Sequence, residues 1–259
     1  MTIIVVITYC ELRLTIKKLP IRVLFNFLAN LYTQTITYQI EALKVKDKQE
    51  YFMSFSIPDS ELAKKATQLV AEVSPKFLYH HCVRTYLFGE ILGKRDGLKY
   101  DRELLYLASI MHDLGLTERF DCGKQRFEVE GADAAQAFVL EHGLSDEKAE
   151  IVWDAIALHT SIGIASRKQP EIALLHLGVS ADILGMGLED IDPGMIERVI
   201  DNYSRLGCNK AMVELIISQI EQKPQTATFT WMADVGRRHV HGFICPTFEE
   251  SINNNPFNE

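Results

Sequence analysis

Residues 101–115 read Asp101-Arg102-Glu103-Leu104-Leu105-Tyr106-Leu107-Ala108-Ser109-Ile110-Met111-His112-Asp113-Leu114-Gly115. Asp101 is a helix-capping residue, and Leu104, Leu105, Leu107, Ala108, Ile110 and Met111 recur at the helical period, with Gly115 as the stop. The helix is apolar almost all round, so it is predicted to lie in a core. A cationic His is welcome at a helix C-terminus. A carboxylate there opposes the negative end of the macrodipole, so Asp113 needs a reason to be present.

Working outward, the same grammar repeats from Ser54 onward. Asp59 or Ser60 caps a helix carrying Leu62, Ala66, Leu69, Val70 and Val73. Ser74-Pro75 opens a second helix, with Leu78, His81, Thr85, Phe88 and Leu92 on one stripe and an end near Gly93. A fourth helix is expected from about Gly131 to Gly143. Ser145 caps a fifth, Pro170 opens a sixth, Asp192-Pro193 a seventh, and Gly207 precedes an eighth that runs to Pro224. A short ninth surrounds Trp231. No alternating run suggests a sheet, so residues 53–250 are predicted to form an all-α multi-helix bundle.

Residues 1–52 differ in kind. They hold no Gly and one Pro, with seven basic and four acidic residues, against 20 basic and 31 acidic in the remainder. The run Ile3–Ile7 is too short to span a bilayer and lacks a basic residue ahead of it. Met53 is the expected biological start, and residues 251–259 are expected to be a disordered tail. The whole chain of 259 residues carries a net charge of −8, which argues against a duplex nucleic-acid partner. Five scattered Cys without a Cys-x-x-Cys pair fit reduced thiols in a cytoplasmic protein.

Three polar features sit where packing would not want them. His81 lies on the apolar stripe of its helix. His112-Asp113 ends the central helix. Asp182 stands in Leu174-Leu175-His176-Leu177-Gly178-Val179-Ser180-Ala181-Asp182-Ile183-Leu184, a helix with no polar face, where an unpaired carboxylate would cost several kcal/mol. Together they give two imidazoles and two carboxylates aimed inward, a mixed N/O donor set suited to one divalent ion. Zn²⁺ is the expected ion, with Fe²⁺, Mn²⁺ or Co²⁺ as alternatives.

The segments Tyr79-His80-His81-Cys82-Val83-Arg84-Thr85-Tyr86 and Met111-His112-Asp113-Leu114-Gly115, followed by Asp182, resemble the H…HD…D signature of the HD-domain metal-dependent phosphohydrolase superfamily. Arg126-Phe127-Glu128-Val129-Glu130-Gly131-Ala132, Ala155-Ile156-Ala157-Leu158-His159-Thr160 and Asp182-Ile183-Leu184-Gly185 resemble its cyanamide hydratase-like branch. The resemblance implies His81, His112, Asp113 and Asp182 as metal ligands. In this sequence His80 stands where the family often has Asn, and Cys82 where it has Ser. A divalent ion would lower the pKa of its water and supply a nucleophile at neutral pH. His159, on the buried stripe of the fifth helix, is the first candidate for a proton donor and Glu128 the second. His80, Arg126 and Thr160 are the expected substrate contacts. The expected reaction is hydration of cyanamide or a related nitrile. The alternatives are phosphoester hydrolysis, with Arg84, Arg119, Lys124 and Arg126 holding the anion, and an inactive interaction module. The expected partner is a small molecule, without a membrane or nucleic acid; a homo-oligomer is compatible with the sequence.

Overall fold

The computed structural model describes residues 56–257. The first 52 residues and Met53 lie outside the described residues. Ten α-helices follow in order within them: α1 Glu61–Val73, α2 Lys76–Arg95, α3 Arg102–Met111, α4 Phe127–Glu141, α5 Asp146–Leu158, α6 Pro170–Leu184, α7 Pro193–Asn202, α8 Cys208–Gln222, α9 Met232–His239 and α10 Phe248–Asn253. Short 3₁₀ turns occupy Leu114–Leu116, Ala165–Arg167, Leu188–Asp190 and Pro224–Ala227, and no strand occurs among the described residues. The all-α expectation holds.

Capping chemistry sets most boundaries. Ser60 caps α1 by accepting from Ala63 N–H, Asp101 caps α3 by accepting from Glu103 and Leu104 N–H, and Asp192 caps α7 through Gly194 N–H. Three expectations are corrected. Pro75 itself, not Ser74, occupies the capping position of α2, and the helix continues past Gly93 to Arg95. Helix α4 starts at Phe127 rather than near Gly131, which places Glu128 and Glu130 in its first turn. Residues 251–253 finish a helix instead of fraying, because Thr247 and Glu250 form a reciprocal capping box.

The central helix α3 is buried from Leu104 to Met111, as its apolar circumference demands. Helices α2 and α6 cross it and run antiparallel to each other at backbone contact. A Cβ on Gly178 of α6 would stand 2.2 Å from the Thr85 carbonyl oxygen of α2. Four residues along, Gly89 faces the Leu174 carbonyl; four the other way, Asp182 faces His81. That register is what delivers Asp182 to the start of α2. A second contact of this kind explains the misplaced start of α4. Gly131 is a packing residue whose absent side chain admits Gly115 N and His112 O, each 3.2 Å from where its Cβ would be. The chain after Asp113 is thereby pressed onto the first turn of α4.

The C-terminal helices add an apolar cluster of Leu78, Leu116, Phe127, Ile216, Ile220, Ala227 and Met232. A fully buried Lys223 at the end of α8 ties it to the rest, with its ammonium 2.8 Å from Asp121 and 2.5 Å from Glu130. Glu130 also accepts from the Lys124 and Gln125 N–H groups and the Cys122 thiol, which folds the 121–125 loop around it.

Two stability predictions follow from these contacts. Gly178→Ala forces α2 and α6 apart and is expected to cost about 1–3 kcal/mol in denaturant unfolding, whereas an unchanged midpoint would mean the crossing is not tight. Burial opposes ionisation of Asp121 and Glu130, but Lys223 and the donors around them outweigh it, so both carboxyls are held below their ordinary values of 3.8 and 4.5. Their contribution is therefore complete above about pH 4.5 and drains away as the pH falls below it. Glu130→Gln should flatten the acid limb of a pH–stability curve.

Candidate metal centre

The sequence places a His at the C-cap of α3, α4 and α5, and the structure gives those of α3 and α5 the same geometry. His112 ends α3 with φ −61°, ψ −27°, and His159 ends α5 with φ −60°, ψ −25°. Each Nδ1 lies on the carbonyl three residues back, His112 at 2.7 Å from Ser109 O and His159 at 2.6 Å from Ile156 O. A carbonyl can only accept, so both Nδ1 atoms carry the proton and both Nε2 atoms present a lone pair. The rings meet edge to face with centroids 4.9 Å apart.

His81 approaches from the first turns of α2. Its Nδ1 donates to Asp182 Oδ2 at 2.6 Å, so its Nε2 is also turned toward the centre, 3.2 Å from His112 Nε2. Asp113 completes the group. Its Oδ2 lies 3.2 Å from His112 Nε2 and 3.5 Å from His81 Nε2, and its Oδ1 lies 3.9 Å from His159 Nε2. All four residues are buried, and Asp113 Oδ2 has no hydrogen-bond partner.

Three imidazole Nε2 atoms and a carboxylate thus converge in a buried space at the negative ends of two helices. Every component favours positive charge there. Burial opposes charge on His112, yet Asp113 and Cys82 outweigh it and raise its pKa well above the ordinary value. Burial likewise opposes ionisation of Asp113, but the three imidazoles hold it well below the usual carboxylate range. Burial and the neighbouring His112 push His159 down to about 4. A centre that draws a proton onto a fully buried imidazole fits a divalent cation of borderline character. His81, His112 and Asp113 offer ligand atoms all within 4.8 Å of one another.

Asp182, the fourth expected ligand, is placed differently. Its Oδ1 accepts from Arg84 Nε at 2.7 Å and Arg205 at 2.9 Å, and its Oδ2 from His81 and from Arg84 at 2.8 Å. Both oxygens are engaged, and burial is outweighed by His81 and Arg84 so that the carboxyl is held well below its ordinary range. In this arrangement Asp182 orients His81 from behind and fixes its tautomer, a partnership typical around metal-bound imidazoles. Arg205 reaches it from the segment between α7 and α8, just before Leu206 and Gly207, which both take positive φ, 51° and 76°.

The expected substrate and catalytic residues divide. Glu128 is buried and receives Arg126 at 2.7 Å and the Thr160 hydroxyl at 2.8 Å on one oxygen. These three therefore form one group beside His159, with Glu128 accepting from the other two. His159 keeps its Nδ1 proton on the Ile156 carbonyl and leaves Nε2 turned toward Asp113. His80 is turned away, its Nδ1 2.9 Å from the Ser204 carbonyl and its ring against Tyr203. Of the cations expected to hold a phosphate, Arg84 is fully buried on Asp182 and the Tyr203 and Ser204 carbonyls, and Arg119 lies over the Phe120 ring. Sequence reasoning missed the positioning roles of Arg205 and of His176, whose Nδ1 donates to His159 O at 2.8 Å. No helix among the described residues is long and apolar enough to cross a membrane.

Parts of the chain are similar to known proteins. Residues 78–205 match the model of the HD domain. Two cyanamide hydratases of Saccharomyces cerevisiae, DDI2 and DDI3, are each 20% identical over 195 residues, covering 74% of this chain and 85% of theirs.

The two carboxylates are separable by experiment. Asp113→Ala is expected to abolish stoichiometric metal in the purified protein while helical content by circular dichroism persists. Asp182→Asn, acting through His81, should weaken metal affinity about 10–100-fold without removing it. A loss as complete as that of Asp113→Ala would make Asp182 a direct ligand.

Proposed function

We propose that this chain, a member of the HD-domain family through residues 78–205, is a metal-dependent hydratase that adds water to a small uncharged substrate, cyanamide or a related nitrile. The observation that carries the reading is the convergence of His81, His112, Asp113 and His159 on a buried, cation-seeking centre whose nearby arginines are already paired with carboxylates. A nitrile needs polarisation and a nucleophile but no cationic cradle, whereas a phosphoester needs both room and free positive charge. The likeness to two cyanamide hydratases supports the same choice.

His81, His112 and Asp113 would hold the ion, with Asp182 setting the orientation of His81 in the role described above. Zinc suits the imidazole and carboxylate donors best. When bound, the ion supplies Lewis acidity and an acidified water at neutral pH. The chain supplies the proton path. His159 Nε2 accepts a proton from the attacking water and returns it to the nitrile nitrogen as the carbon–oxygen bond forms and one carbon–nitrogen π bond is lost. That step gives isourea, and transfer of its remaining O–H proton to the imine nitrogen, as the C=O bond forms, gives urea with all atoms accounted for. Thr160 and Arg126, both fixed by Glu128, border His159 and are positioned to orient the substrate's nitrogen.

The test is parallel assay of zinc-loaded protein on cyanamide and on a panel of nucleoside phosphates. Urea formation without phosphate release supports the proposal; phosphate release alone replaces it with phosphohydrolysis, and the absence of both with bound metal below about one equivalent replaces it with an interaction module. His159→Ala is expected to lower kcat by about 10²–10⁴-fold while metal content is retained. Metal retention itself should fall as the pH drops below about 6, because protons compete for the imidazole lone pairs.

A further inference from the structure

The cluster is buried, so a substrate needs a route to it, and one run of ring contacts leads from it to an exposed residue. His159 touches Phe127 with ring centroids 5.7 Å apart at 65°, and Phe127 touches Trp231 at 6.5 Å and 84°. Exposure rises sharply along this run. His159 and Phe127 are each 3% exposed, whereas Trp231 is 42% exposed. Phe127 is therefore the last ring between the centre and a residue in contact with water.

The chain is bent to put Trp231 there. Phe229 lies at φ 59°, a left-handed conformation that a bulky residue adopts only when its surroundings impose it. Its ring packs edge to face on Phe248 of α10, with centroids 5.9 Å apart. Thr230 folds back onto Ala227 through both its N–H and its hydroxyl, and Trp231 follows as the residue capping α9. The neighbouring Ala227 and Met232 belong to the apolar cluster that also contains Phe127. The 228–231 turn thus seats an indole on the outer edge of Phe127 while its own backbone is strained.

We propose that Phe127 and Trp231 form a two-ring gate to the centre, with Phe127 as the inner wall that limits substrate size and Trp231 as the outer leaf. The proposal rests on the reading that the His/Asp cluster is the reaction centre, and it adds what selects the substrate. Paired ring edges let a small uncharged molecule pass with little desolvation cost, but they offer a phosphoester no cation and a bulky nitrile no room.

A probe that needs neither metal nor turnover tests the gate. Diethyl pyrocarbonate acylates the free Nε2 of an accessible imidazole, and peptide mass spectrometry reads each His separately. In metal-free protein, Trp231→Ala and Phe127→Leu are expected to raise the labelling rate of His159 roughly tenfold or more, while that of His142, at the far end of α4, stays constant. In metal-loaded protein the same variants should shift kcat/KM by about tenfold in favour of a bulkier nitrile over cyanamide. Trp231 is half-exposed, so its variant keeps the test available if the Phe127 substitution unfolds the protein. Unchanged His159 labelling in a folded variant overturns the gate. Faster labelling in a protein without hydratase activity leaves the gate standing and rejects the proposed reaction instead.

Discussion

Two helix C-termini aimed at one point are an electrostatic conflict, and the rest of the structure is arranged around its resolution. Helices α3 and α5 each end in a His whose Nδ1 proton is given to its own helix, so in the neutral rings the inward-facing Nε2 atoms offer lone pairs. Adding Asp113 to their negative ends makes a buried place that favours a cation. The His81 ring, set by Asp182, closes the group from the third side. Asp113, whose Oδ2 has no hydrogen-bond partner, is the residue that most needs a positive charge beside it.

What surrounds the centre serves to hold that arrangement still. Arg84 and Arg205 neutralise Asp182 behind His81, and Arg84 also fastens the carbonyls of Tyr203 and Ser204. His176 holds the last carbonyl of the α5 turn, and Glu128 collects Arg126 and Thr160 beside it. Lys223 bridges the 121–125 loop and α4 to the end of α8. A buried ion pair of this kind contributes little net stability over an apolar substitute, but removing one partner alone is costly. These links act as locators, each fixing a segment whose position the centre depends on.

Much of this was legible in the residues alone. Periodicity and capping residues place most of the helices, because local backbone chemistry fixes helix ends before tertiary contacts act. His81, His112 and Asp113 stand out as polar groups in apolar surroundings, and they do converge. The start of α4 was not legible, since Gly131 reads as a helix boundary when its function is close packing against Gly115. The place of Asp182 was half legible. Arg84 sits one helical turn after His81 on a buried surface, which signals a carboxylate partner, but nothing local reveals that Arg205 would join it from beyond α7. Long-range ion pairs leave no periodic trace.

The register between α2 and α6 has a consequence for how this chain can vary. Gly89 with Leu174, Thr85 with Gly178 and His81 with Asp182 are successive rungs of one ladder. Inserting or deleting one residue between the first rung and the last, in either helix, turns everything beyond it by about 100° and separates the imidazole from its carboxylate. Length changes are therefore forbidden across residues 81–89 and 174–182, while the turns that follow α2 and α6 are free to grow or shrink. Among descendants of a common ancestor, these two spans should keep constant length even where side-chain identity has drifted beyond easy alignment.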